Sequence, residues 1–318
     1  VSREGGMILN NLILTTAALT VLLGTLYPLF LDVLGGGKIS VGPPYFNATF
    51  VPLMLPLLLA VAVGPMLAWK RADLWTALGR LVPAALGAFA IAALVLYLAG
   101  SGAGLAAVGL GVAVWLILGA VVEVTERVRL FRAPLAESWR RARGLPRATW
   151  GMTIGHTALG IMVAGVTASS AWQVEKILTM KPGDTVAIAG YDLRFDGIRD
   201  LRGKNYVARR ATLTVTSGGS PVTVLLPEKR AFPVQRQSTS EAAIHTSVFA
   251  DLYAVLGEPD GKGGWAFRLY YNPLVPWIWG GAILMFLGGM VSLTDRRHRV
   301  GAPRRAKAQV RATAATGA

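Results

Sequence analysis

The sequence contains no cysteine. That excludes disulfides, thiolate nucleophiles and Cys-ligated metals, and leaves any redox or thiol chemistry to cofactors or partners. Acidic residues are scarce as well: 17 Asp and Glu stand against 32 Lys and Arg, a formal charge of +15 over 318 residues. The basic excess gathers in a few short loops rather than along one broad face, which points to membrane topology and away from nucleic acid. Histidine occurs three times, as His156, His245 and His298, and no Ser-His-Asp arrangement or carboxylate pair suggests hydrolysis. The chain opens on Val1 with neither a charged n-region nor a cleavage site, so it is expected to be the later portion of something longer.

What the chain has in quantity is apolar runs. It is 53 % hydrophobic, its mean hydropathy is +0.49, and long stretches of this kind mark an integral membrane protein that lives in a lipid bilayer. Six spans are expected, at 11–31, 51–69, 81–99, 105–122, 151–171 and 273–294. The turn GSGAG between the third and fourth makes them antiparallel neighbours. Between the first and second, Gly35 to Gly37 and Pro43-Pro44 read as breakers of a loop over 32–50. The GGGK run there lacks the earlier glycine and the following Ser or Thr of a phosphate-binding loop, and is set aside.

Residues 123–150 change character. Arg127, Arg129, Arg132, Arg140, Arg141, Arg143 and Arg147 lie beside a span, and short loops of that kind stay in the cytoplasm. Within them Leu135–Arg143 reads as an amphipathic surface helix. Both termini are then cytoplasmic, the basic tail 295–318 is expected to be disordered, and residues 32–50, 100–104 and 172–272 lie outside. The segment 172–272 has soluble composition, with alternating or β-branched runs at 184–189, 192–198, 206–216, 221–228 and 265–271; 247–256 reads as strand or helical turn.

The expected architecture is a polytopic α-helical membrane protein of six transmembrane helices with an inserted small antiparallel β domain, barrel or sandwich, outside the membrane. Residues 1–171 supply five helices and the basic loops, 172–272 the β domain, 273–294 the sixth helix. Trp172, Trp265, Tyr270, Tyr271, Trp277 and Trp279 are expected at the two joins to the bilayer, as an interfacial belt or as a stacking surface for a porphyrin.

The chain is organised around 151–171, GMTIGHTALGIMVAGVTASSA. Tyrosines apart, His156 is the one ionisable residue inside the expected spans, with Asp32, Lys70 and Glu123 falling at span ends. A charged group at membrane depth costs about 2.5 kcal/mol or more, whereas neutral imidazole is a metal ligand. Gly160 follows His156 one turn later on the same face, and Gly155 precedes it, so a flat group or another helix can approach. Two readings stay open on the residues alone. One is a haem ligand; the other is a neutral histidine hydrogen-bonded in a helix-packing seam. The lack of buried carboxylates or lysines weighs against ion-coupled transport. His245, in the outside domain, and His298, in the tail, cannot reach His156 as a second ligand.

The segments SREGGMILNNLILTTAALTVLLGTLYPL, ISVGPPYFN, GHTALGIMVAGV, RGKNYVARRATLTV, VLLPEKR, SEAAIHTSVFADLYAVLGE and WAFRLYYNPLVPWIWGGAILMFLGG together resemble the C-terminal half of the CcmF family (CcmF, CycK, NrfE). These are haem lyase subunits of bacterial system I cytochrome c maturation, and the resemblance covers nearly the whole chain. It implies a protein of the bacterial inner membrane with its β domain in the periplasm. It implies that haem is received from a CcmE-like chaperone and, with a CcmH-like partner, attached through thioether bonds to the CxxCH cysteines of an apocytochrome c. It further implies a structural haem b in the membrane, with His156 as an axial ligand to the haem iron and Gly155 and Gly160 beside it. The second axial ligand and the family's tryptophan-rich external motif belong to the portion before Val1, the missing N-terminal half. Neither His245 nor His298 inherits a role, and this chain alone is not expected to catalyse the ligation. A membrane permease or transporter subunit, hinted at by Gly64-Pro65, and a non-catalytic assembly scaffold are the alternatives, and a haem chromophore separates them from the lyase.

Overall fold

Glycine and proline, the residues that ordinarily end helices, here decide how the helices start and meet. The computed structural model describes residues 2–37 and 39–295; the tail, with His298, lies outside the described residues. Among them, six helices are long and apolar enough to cross a membrane: α1 (Arg3–Val33), α2 (Pro43–Val63), α4 (Val82–Ala99), α5 (Gly104–Val128), α7 (Arg147–Trp172) and α8 (Val275–Leu293). Two short helices, α3 (Leu74–Arg80) and α6 (Leu135–Arg143), lie between them.

Ser2 opens α1, its hydroxyl accepting the N–H of Gly5 at 3.1 Å. Pro43 and Pro44 do not break the chain; they occupy the first turn of α2, where the missing N–H would have had no partner and the fixed φ suits a helix. The expected loop over 32–50 is therefore half helix. Tyr45 then reaches across to α1, donating its hydroxyl to the Thr20 carbonyl at 3.2 Å. Its ring fills the space over Gly24, where a Cβ would come within 2.5 Å of Cε1. α5 continues to Val128 rather than ending near 122, which puts Glu123 inside the helix and buries it.

Small residues let the later helices meet closely, as they do where lipid supplies no hydrophobic push. A Cβ on Gly165 of α7 would lie 2.9 Å from the Leu274 carbonyl at the foot of α8, and one on Gly281 of α8 would lie 2.8 Å from the Ala158 carbonyl of α7. The helix ends are tied as well. Arg3 donates its N–H to the Ala68 carbonyl at 3.1 Å, Arg80 lies 3.6 Å from Glu126, and the Asp295 carboxylate accepts the Ala148 N–H at 3.1 Å. These contacts gather the start of α1, the α2–α4 connection, the end of α5, the start of α7 and the end of α8 at one end of the bundle, which carries the basic loops. The β domain grows from the opposite ends of α7 and α8.

That domain is two packed antiparallel sheets. β1 (Val174–Met180), β10 (Trp265–Pro273), β9 (Ala250–Pro259) and β8 (Ala243–Thr246) form one, in that order. β2 (Thr185–Ile188), β3 (Tyr191–Arg202), β4 (Val207–Ser217), β6 (Glu228–Phe232) and β7 (Gln237–Glu241) form the other, with β5 (Ser220–Leu225) also paired to β4. Inward positions alternate along β4 and β9, so Ala211, Leu213 and Val215 face Leu252, Ala254 and Leu256 across a closed core. Phe195 and Phe267 meet edge to face at its centre, 4.9 Å between centroids. The domain is thus a sandwich, and 247–256 contributes strand.

Three strands, β1, β7 and β8, were not expected, and the run 221–228 divides into β5 and the start of β6. One aromatic also moves. β1 follows α7 directly, β10 runs into α8, and the two pair from Val174 with Tyr271 to Met180 with Trp265. Trp265 therefore sits six residues, about 20 Å, beyond the Val174–Tyr271 pair that begins the ladder and ten residues before α8, with Arg209 over its ring at 5.4 Å. It does not lie at the joins. Trp277 does: its indole N–H donates to the Val248 carbonyl at 3.0 Å.

Candidate functional site

His156 is the tenth residue of α7, which places it about 13 Å along the helix axis from Arg147. It borders a half-open cavity of about 690 Å³ lined by α1, α2, α3, α5 and α7, within the size range of sites for cofactor-sized ligands. The walls are mostly apolar, with Met7 and Ile13 from α1, Leu57 and Val63 from α2, Leu78 from α3 and Met152 from α7. Four side chains with polar groups also border it: Arg3, Asn10, Trp115 and His156. Trp115 is held by its indole N–H, which donates to the Leu59 carbonyl at 3.0 Å. Arg3 is held at the rim with its guanidinium 5.8 Å above the Trp69 ring.

His156 also borders a second, much smaller void of about 10 Å³, shared with Ala62, Pro65, Gly119, Ala120, Glu123, Met152 and Thr153. Glu123 is 4 % exposed. One carboxylate oxygen, Oε1, pairs with the Arg127 guanidinium a turn later; the other, Oε2, is buried with no hydrogen-bond partner. Thr153 donates its hydroxyl to the Thr149 carbonyl at 3.0 Å.

The glycines expected beside His156 part company. A Cβ on Gly155 would meet nothing within 4 Å, so space remains there. Gly160 instead faces α5: a Cβ there would lie 2.6 Å from Ile117 Cγ1 and 2.8 Å from the Ala113 carbonyl. The approach that Gly160 permits is made by a helix. His245 sits on β8, opposite Leu252 of β9, in the β domain and away from His156. No cluster of three or more His, Cys, Asp or Glu side chains capable of holding a metal ion occurs among the described residues.

Arg3, Trp115 and Glu123 escape a reading of the sequence. For Glu123 a signal was present, since Arg127 follows it by four residues, the spacing of a helical ion pair. Arg3 and Trp115 reach the cavity only through the packing of α1 and α5 beside α7, which no local pattern announces.

With this geometry in hand, comparison with known proteins is informative. The family model described as the CcmF C-terminal beta-sandwich matches residues 171–273, the two-sheet domain with its joins. Over 307 residues the chain is 48 % identical to the cytochrome c-type biogenesis protein CycK of Rhizobium meliloti (strain 1021), covering 96 % of this chain and 45 % of that protein. Over 299 residues it is 37 % identical to the cytochrome c-type biogenesis protein CcmF of Escherichia coli (strain K12), covering 94 % of this chain and 44 % of that protein. A solved structure titled cytochrome c heme lyase CcmF superposes with a TM-score of 0.69 at 25 % identity, covering 92 % of this chain and 46 % of that one. The chain spans a little under half the length of these relatives.

Proposed function

The chain belongs to the CcmF/CycK family of cytochrome c-type biogenesis proteins, and from that premise we propose that it forms part of a cytochrome c haem lyase whose membrane portion holds a haem b through His156. The observation that carries this reading is the ring of His156 on the wall of an apolar cavity of about 690 Å³.

The residues present suit such a group. The neutral imidazole has a lone pair for iron, and the apolar walls match a porphyrin face. Arg3 is the cation on the cavity wall and the natural partner for an anionic edge. A bound haem b supplies one-electron chemistry at its iron. The chain's own residues would supply one ligand to the iron through His156, apolar walls and a positive charge at the rim. A second ligand to the iron would come from outside this chain.

The haem to be attached is substrate. It arrives from a CcmE-like chaperone and leaves as a thioether adduct on the CxxCH cysteines of an apocytochrome c, with a CcmH-like partner. The thiols are the client's, since this chain has no cysteine. The basic end of the bundle faces the cytoplasm, because short loops rich in Arg and Lys stay inside, and the β sandwich stands in the periplasm, where client and chaperone meet it.

A visible spectrum of the detergent-purified chain, produced together with the N-terminal half, tests this reading. The expected result is a b-type haem spectrum that survives gel filtration. Protein without a chromophore contradicts it and favours a scaffold or a permease.

A further inference from the structure

An imidazole that gives one nitrogen to iron carries its proton on the other, and inside a bilayer that N–H needs an acceptor. His156 borders two spaces, the large apolar cavity and a void of about 10 Å³ that it shares with Glu123 and Thr153. Among the described residues that line the smaller void, Glu123 is the charged one. Its Oε1 is occupied by Arg127 while Oε2 is buried without a partner. Leaving a carboxylate oxygen unpaired within a membrane helix is costly, and an apolar residue of the same size would avoid that cost.

We propose that Glu123 is the positioning residue of His156: its free Oε2 accepts the hydrogen bond of the imidazole N–H that does not meet the iron, directly or through one water. This rests on the reading of His156 as a haem ligand. A void of about 10 Å³ is at the lower limit for a single water molecule, so no longer relay fits. The Thr153 hydroxyl already gives its proton to the Thr149 carbonyl, and as a neutral oxygen it is the weaker acceptor. A carboxylate in this place fixes which nitrogen meets the iron, holds the ring plane and makes the imidazole a stronger donor, which favours ferric over ferrous iron. Arg127 on the opposite oxygen limits how far that effect goes.

The test uses the complete haem-loaded protein and reads the midpoint potential and the low-spin ferric electron paramagnetic resonance spectrum. Glu123→Gln raises the potential; a tenfold loss of preference for ferric iron corresponds to about 59 mV for a one-electron couple. Haem retention in that variant falls on the order of tenfold. Arg127→Gln, which removes the neutralising cation and keeps the acceptor, moves the potential the other way. A merely structural ion pair predicts that both variants lose folded protein alike and leave the potential of the remainder unchanged, and that outcome overturns the proposal. Wild-type protein without haem would instead sink the ligand reading itself. Should Glu123→Gln fail to accumulate, the wild-type spectrum decides: the signature of a strongly hydrogen-bonded, imidazolate-like ligand supports the proposal, and that of an ordinary neutral imidazole refutes it.

Discussion

Gly151 and Gly288 face each other backbone to backbone: a Cβ on Gly151 would lie 2.5 Å from the Gly288 carbonyl oxygen, and one on Gly288 would lie 2.8 Å from the Gly151 carbonyl oxygen. Neither can accept a side chain without parting α7 from α8. That contact is close to the start of α7 and sets where the face bearing His156 points. Gly151→Val is expected to lower stability by about 1–3 kcal/mol, the usual cost of overpacking, seen as a lower thermal midpoint in detergent. Gly280→Ala, whose Cβ would meet nothing within 4 Å, serves as control. Equal losses in the two variants would contradict the packing described.

The sandwich has its own core, so residues 172–272 released from the membrane part are expected to fold in water with a β-rich circular dichroism spectrum. In that domain Phe267→Ala removes one half of the Phe195 pair from a site 1 % exposed. The expected cost is about 3–5 kcal/mol, measured by urea unfolding. A disordered spectrum for the unsubstituted domain would show that its core depends on the helices.

Glu228 gives the domain an acid limit. It is 5 % exposed and accepts from Arg210 Nε at 2.6 Å and Arg230 Nε at 2.8 Å. Burial pushes its carboxyl up, but the two guanidinium hydrogen bonds outweigh burial and hold it below the usual carboxylate range. A carboxyl lowered in the folded state adds stability above its unfolded pKa, about 4.3, and loses it as pH falls through the folded value. Glu228→Gln is therefore expected to be less stable than wild type above roughly pH 5, with the gap narrowing below roughly pH 4. A gap that stays constant to pH 2 would mean the charge contributes nothing.

Orientation follows from where the arginines lie. Single cysteines at Ser40 and Ser217 are expected to react with an impermeant thiol reagent from the periplasmic side, and one at Ala136 of α6 only after the membrane is opened. The native chain has no cysteine to confuse the labelling. Reaction of Ala136→Cys in sealed cells would reverse the arrangement.

The sequence made some of this legible and hid the rest for identifiable reasons. Leu135–Arg143 could be read to the residue because Pro134 precedes it, Gly144 follows it and its arginines share one turn. Glu123 looked like the end of a span because a carboxylate is expensive in lipid; its ion pair with Arg127 carries the helix past it. The spacing of Gly160 from His156 places both on one face, but spacing does not say which neighbour covers that face, and at Gly160 it is α5. β7 is Gln-Ser-Thr-Ser-Glu at a sheet edge, with no apolar alternation to announce it. Trp265 lies near Tyr270 and Tyr271 in sequence, yet an extended strand carries it to the far end of the domain.

The ligand role of His156 is tested most directly by replacing it in the complete protein and recording the haem spectrum. His156→Ala is expected to remove or loosen the membrane haem and lower the yield of cytochrome c. His156→Gly with added imidazole is expected to restore part of both, because the cavity and the Glu123 side of the site remain, while His245→Ala leaves the spectrum as it was. A His156→Gln protein that keeps a normal bis-histidine haem spectrum, indifferent to added imidazole, would contradict the assignment and leave α7 as a helix-packing seam.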